Sequence, residues 1–216
     1  MSLKRILRIG LAYLMQLAIA FVFLFSIIER NYSLIIVSGV SLFITFIPLF
    51  LKRKWRVTLP WSLNLLILFS LVMYVLGIYS GWYQSMHPYF YDKISHFLGS
   101  ITIALLGLTS VLIIDRYTEV ELTNKSIIFF VIIFTLAVGA FWEIAEFTVD
   151  LIFKTNSQYD GLSGTMYDLV FDLFGGVVAG VIAHFKLRKG KEKFIDKLLK
   201  IMRVKRIKCK RKQSQN

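Results

Sequence analysis

Six ionisable side chains fall into three helical pairs in a chain that is otherwise strongly apolar: Asp92 with His96, Glu143 with Glu146, and Asp168 with Asp172. Spacings of three or four residues put both members of a pair on one face of a helix. Carboxylates within apolar runs are rare, because each costs about 2.5–3.5 kcal/mol at mid-membrane on insertion scales. Five of them beside one imidazole suit a hard divalent cation such as Mg²⁺, Mn²⁺, Fe²⁺ or Zn²⁺, and they equally suit general acid–base work. As a metal site, the ligands are Asp92, His96, Glu143, Glu146, Asp168 and Asp172. As a catalytic site, the working groups are Glu143, Glu146, Asp172 and His96. Lys93 is placed to contact a ligand, as are Asp160 and Thr165 in the segment Asp160-Gly-Leu-Ser-Gly-Thr165. Plainer readings stand beside these: Asp92 and Asp168 as helix N-caps, Lys93 snorkelling to the interface, and His96 as a hydrogen-bonded packing residue. The spacing is not a specific zinc or di-iron signature. No Walker A, nucleophile-elbow or His-Glu-x-x-His pattern occurs.

The elements that must position these residues follow from composition. Of the 216 residues, 56% are hydrophobic and 18% charged, against about 45–50% and about 25% in soluble domains. That balance excludes a disordered chain, a collagen and a disulfide-stapled secreted domain. Apolar runs near the roughly 20 residues needed to cross a bilayer lie at about 9–28, 32–51, 59–80, 94–114, 126–149 and 167–185. The first is too long for a signal-peptide core and lacks a cleavage site. The expected fold is therefore all-α: a polytopic transmembrane bundle of six spans over residues 1–185, followed by a basic tail over 186–216.

The net charge of +13 reads as topology. With the N-terminus cytoplasmic, every Lys and Arg except Arg30, Lys93 and Lys154 falls inside, which the positive-inside rule favours. Both ends are then cytoplasmic and the chain is a multi-pass cell-membrane protein. In the tail, cations alternate with Phe194, Ile195, Leu198, Leu199, Ile201 and Met202, a strip suited to lying on the anionic inner leaflet. The plainer reading is a solvated tail that only enforces orientation. No aromatic platform or reading motif points to nucleic acid. Cys209 stands alone in the tail, so no disulfide is expected. Trp82, Tyr83, Tyr89, Phe90, Tyr91, Tyr159 and Tyr167 read as interfacial anchors.

This topology brings the three pairs to one leaflet, since the fourth and sixth spans enter from outside and the fifth runs outward. Asp150 continues the stripe to the water boundary. Gly175, Gly176 and Gly180 form a small-residue strip suited to close helix approach. Nothing comparable appears in spans one to three, where Gln16 and Asn64 are isolated.

The strings Asp92-Lys93-Ile-Ser-His96-Phe97, Glu143-Ile-Ala-Glu146-Phe147 and Asp168-Leu-Val-Phe-Asp172 with Gly175-Gly176 resemble the YjdF-type family of multi-pass membrane proteins. More distantly they are similar to VanZ-like proteins, which carry an Asp-Lys-x-x-His-Phe opening, a later Glu and an Asp-x-x-x-Asn-x-x-Gly element. The resemblance covers about residues 90–180. Glu146 stands where VanZ-like proteins commonly have Gln, and Asp172 where they have Asn. This chain is therefore the more acidic, which favours a cation site. The resemblance implies cell-envelope biology, with some VanZ-like members linked to tolerance of glycopeptide antibiotics, and it implies no reaction.

Three functions remain open from sequence. One is a non-catalytic envelope protein whose outward cluster binds a cation or a lipid headgroup. Another is a metal-assisted hydrolase or transferase acting on an envelope lipid. The last is a proton- or cation-coupled transporter, although the cytoplasmic halves of spans four to six offer only apolar and small side chains as a path.

Overall fold

A backbone surrounded by hydrocarbon must satisfy its own polar groups, and helices do this within one segment. The computed structural model describes residues 3–54, 57–85, 90–155, 158 and 161–202, and the regular elements among them are all helices. In chain order these are α1 (Leu3–Ile28), α2 (Tyr32–Lys54), α3 (Trp61–Tyr79), α4 (Trp82–Ser85), α5 (Phe90–Tyr117), α6 (Asn124–Phe153), α7 (Gly161–Arg188) and α8 (Lys191–Met202). Six of them, α1 to α3 and α5 to α7, are long and apolar enough to cross a membrane. Large apolar side chains such as Phe43, Phe129, Phe141 and Phe147 stand exposed on their outer faces, as lipid contact requires.

Local signals set the breaks. Asn31 caps α2 by accepting from Leu34 N at 3.1 Å, and Thr123 caps α6 by accepting from Ser126 N at 3.1 Å. Lys154 ends α6 in the left-handed region. At the site, α5 and α7 begin before their apolar runs, at Phe90 and Gly161. Thr165, expected in the connecting loop, is therefore helical, and Asp168 lies two turns inside α7 and is not an N-cap. Asp160 lies outside the described residues, as do His87, Tyr89, Tyr159 and Cys209.

The helices pack as two groups. Ile19, Val22, Leu34 and Val75 join α1, α2 and α3, while Ala104, Leu108, Val131, Ala179 and Ala183 join α5, α6 and α7. The glycine strip of α7 serves both of its neighbours. A Cβ on Gly175 would lie 2.6 Å from Ser100 Cβ on α5, and one on Gly176 would lie 3.2 Å from Thr135 Cβ on α6. Small residues here let α7 approach both α5 and α6 closely. α5 is also the most enclosed span: 44% of its apolar window is buried, against 17% for α1.

α8 closes the end of the bundle opposite the start of α5. Ile195 and Met202 are buried, and Phe194, Leu198 and Leu199 pack on the α5–α7 core. Most of the apolar strip of the tail thus faces protein. Met202 O accepts from Thr58 N at 2.9 Å. Lys191 Nζ donates to Asp115 Oδ2 at 2.8 Å and to Leu122 O at 2.7 Å, while Asp115 Oδ1 accepts from Leu122 N at 2.8 Å. Buried Asp115 thus fastens α8 and the α5–α6 turn to α5. Replacing it with Ala leaves the Leu122 amide unmatched and Lys191 held by Leu122 O alone, a cost of about 1–3 kcal/mol. Limited trypsinolysis of the detergent-solubilised Asp115→Ala protein is expected to cut faster around Lys189–Lys193 than in the unsubstituted chain.

Candidate functional site

The first two turns of α5 carry Asp92, Lys93, His96 and, one turn on, Ser100. Because the spacing is four residues, Asp92, His96 and Ser100 share one face, and that face meets α6 and α7. His96 has a side chain only 8% exposed and stands at the centre. Its Nε2 lies 3.7 Å from Asp92 Oδ1, 3.6 Å from Glu143 Oε1 and 3.7 Å from Asp168 Oδ1. Its other nitrogen, Nδ1, lies 3.4 Å from Asp172 Oδ1, which also accepts from the Ser100 hydroxyl. One ring thus addresses four carboxylates on three helices.

Lys93 turns inward. Its side chain is 7% exposed, and Nζ donates to Asp168 Oδ1 at 2.7 Å, Asp92 Oδ2 at 3.0 Å and Gly164 O at 3.4 Å. It supplies one buried positive charge among four carboxylates and does not snorkel to the interface. Two acceptors in the cluster have no hydrogen-bond partner, Glu143 Oε1 and Asp172 Oδ2. Both residues are about nineteen-twentieths enclosed, with side chains 5% exposed.

The other expected site residues separate by position. Glu146 faces α3, where its Oε1 accepts from Tyr74 OH at 2.8 Å and from Trp142 Nε1 at 3.0 Å. It stands apart from the atoms gathered round His96 Nε2. Asp150 organises the end of α6, accepting from Thr155 Oγ1 at 2.5 Å and from Gln158 N at 2.9 Å. Thr165 accepts from Gln158 Nε2 at 3.0 Å, and the same amide reaches Glu143 O at 3.4 Å, so Thr165 joins the wall of the site through Gln158.

Several contributors carry no ionisable signature. Ser100 was legible as the next member of the 92–96 stripe. Gly139 sits one turn before Glu143, and a Cβ there would lie 2.0 Å from Asp172 Oδ2, so the carboxylate occupies the space a larger residue would fill. Tyr74 and Trp142 look like any aromatic residues in a span until the helices are packed. Tyr83 and Tyr91 correct an expectation: they are buried and stack edge-to-face with each other at 5.2 Å, forming a cover over the site's α3 side in place of a lipid-facing belt. Burial holds the Tyr83 phenol well above its ordinary pKa, so it is neutral. Tyr91 OH donates to Met73 O at 2.7 Å. Phe90 and Tyr167 do stand exposed at this end. Gly139→Ala is expected to destabilise the protein by about 1–3 kcal/mol by overpacking, and a thermal melt in detergent checks it against the neutral substitution Gly10→Ala, where an added Cβ meets nothing.

Comparison with known proteins adds a family and no chemistry. A stretch of 113 residues is 34% identical to a protein of Thermotoga maritima described as "Uncharacterized protein", covering 52% of this chain and 56% of that one. The chain thus matches little more than half the length of that relative. No solved structure matches the chain. The family described as "Predicted membrane protein (DUF2238)" matches residues 11–189, a range that runs from α1 through the end of α7 and holds all three helical pairs. With six helices able to span a bilayer, the chain is a multi-pass membrane protein that belongs to the DUF2238 family.

Proposed function

We propose that the carboxylate–histidine centre binds a divalent cation near one face of the membrane. The observation that carries this reading is the placement of His96 Nε2, 3.6–3.7 Å from one oxygen each of Asp92, Glu143 and Asp168. These separations are too long for hydrogen bonds. They approach the separation of about 3.3–3.4 Å between ligands bound 2.0–2.1 Å from one tetrahedral ion. Asp92, His96 and Asp168 each offer a ligand atom, all within 4.8 Å of one another; Glu143 Oε1, outside that group, lies 3.6 Å from His96 Nε2 without a hydrogen-bond partner and closes on the ion as the fourth ligand.

Two further features support it. Buried like charges need a counter-charge, and Lys93 neutralises only one of the carboxylates that surround His96. The ring is also oriented as metal-bound imidazoles usually are, with the second nitrogen toward a carboxylate. In this assignment Asp92, His96, Glu143 and Asp168 are the ligands, Asp172 positions His96, and Glu146 is outside the ligand set. A bound ion would act as a Lewis acid toward a headgroup oxygen or water, which keeps metal-assisted chemistry on an envelope lipid as the second reading. The transport reading has less support, because the space below the centre is apolar.

The charge distribution supports both termini being cytoplasmic, with the centre on the outer side. The exposed Lys193, Lys197 and Lys200 of α8 then face the anionic inner leaflet. The more distant likeness to VanZ-like proteins supports a role in the cell envelope.

Elemental analysis of detergent-purified protein supplied with Mg²⁺, Mn²⁺, Fe²⁺ or Zn²⁺ tests the reading. The unsubstituted chain is expected to hold one of these ions stoichiometrically. Affinity should fall by at least about 10–100-fold in His96→Ala and Glu143→Gln, and Glu146→Gln should retain the ion. No bound ion, or equal binding in His96→Ala, overturns it.

A further inference from the structure

Beneath the carboxylate–histidine centre lies a cavity of about 380 Å³, within the range of about 300–1,000 Å³ typical of small-ligand sites. His96, Ser100 and Asp172 form its polar end. From there it runs past Ile103 and Leu106 of α5 and Val138 of α6 to Pro48 and Leu51 in the last turns of α2. Ser95 and Leu106, both in its wall, are about 16 Å apart along α5 at 1.5 Å per residue. The walls are almost wholly apolar. Three hydroxyls in them are engaged by protein: Ser70 Oγ and Thr102 Oγ1 lie 3.1 Å apart, Thr102 donates to Leu98 O at 3.0 Å, and Thr135 donates to Val131 O at 2.7 Å.

We infer that this cavity holds the hydrocarbon chain of a membrane phospholipid whose polar head lies at the carboxylate–histidine centre, an assignment that rests on the centre being a ligand site. A hydrated ion moving through such walls would find no partners, whereas a hydrocarbon chain needs none. The direction also fits. The polar end lies within about three turns of the start of α5, on the side of one face of the bilayer, and the apolar part extends toward the opposite face. A lipid of the nearer leaflet has the same orientation, head at the face and chain toward the midplane. α2 and α6 both line the cavity and meet only narrowly, so the route between them is the one a chain entering from the bilayer would take. Pro48 inside α2 removes a backbone hydrogen bond there, next to the end of the chain path. At the head end, Asp172 Oδ2 is a buried acceptor with no donor from the protein.

Gly99 allows a test that leaves helix packing alone. It lines the cavity, and a Cβ added there meets nothing within 4 Å, so Gly99→Leu fills the space and raises helix propensity. Gly10, equally open on α1, supplies the control Gly10→Leu. Each protein is placed in vesicles of phosphatidylethanolamine and phosphatidylglycerol containing a phosphatidylethanolamine with a terminal diazirine on one acyl chain, irradiated, and mapped by peptide mass. Adducts are expected on the cavity-lining residues Ile44, Pro48 and Leu51 of α2 and Ile103 and Leu106 of α5. By occupying the space of the chain, the Leu side chain should remove most of these adducts in Gly99→Leu, with Gly10→Leu unchanged; the effect is steric, since a displaced chain stays in hydrocarbon. Adducts only on outward-facing residues such as Phe43 and Phe46, or cavity adducts equal in Gly99→Leu, overturn the assignment. Ion binding measured on the same samples separates the two readings. Ion bound with no cavity adducts removes the lipid alone, and cavity adducts without ion remove the cation alone.

Discussion

A carboxylate enclosed among lipid-facing helices must have its charge answered nearby, and here four of them converge on one histidine with a single lysine among them. Most of what is unusual in this bundle follows from that constraint. Coulombic attraction and repulsion are both enlarged where water is excluded, so small displacements of these side chains have large energetic consequences. The helices must therefore be held close and in fixed register. Gly175, Gly176 and Gly139 serve this by removing the side chains that would stand between α7 and its neighbours, and Gly139 leaves room for a charged group instead of an apolar one.

The neighbouring groups divide the acidic residues into different duties. Asp92, Glu143 and Asp168 each turn an oxygen toward His96 Nε2, while Asp172 reaches the opposite side of the ring. Glu146, only three residues from Glu143, is drawn to α3 by the Tyr74 hydroxyl and the Trp142 indole. Two glutamates on one helical face thus have separate surroundings. The distinction lies partly within α6, where Trp142 stands one turn before Glu146, and partly in the Tyr74 hydroxyl supplied by α3. The aromatic cover of Tyr83 and Tyr91 then limits water access from the α3 side, which strengthens every electrostatic contact inside.

The two ends of the molecule are built on different terms. At the start of α5, unmatched acceptors remain, and an apolar cavity opens beneath them. At the other end, Asp115 has both oxygens matched by Lys191 and the Leu122 amide, and the apolar face of α8 covers the core. A matched buried carboxylate is a structural fastener, whereas an unmatched one beside an open space is a place for something else to bind. That contrast, more than the number of acidic residues, distinguishes the candidate site from the rest of the bundle.

Sequence alone determined the six helices, because a bilayer demands long apolar segments with internally satisfied backbones. It also placed the three ionisable pairs at one end, since i and i+4 spacing fixes a helical face and alternating spans fix a leaflet. What it did not contain were distances between helices. The turn of Lys93 inward, the removal of Glu146 to α3, the aromatic cover and the docking of α8 on the bundle were decided by tertiary packing. So was the cavity, whose walls come from α2, α3, α5, α6 and α7 and whose residues are, one by one, ordinary members of membrane spans. Periodicity along one helix says which way a side chain faces. What it then meets depends on neighbours far away in the chain, brought there by small residues that let the helices close.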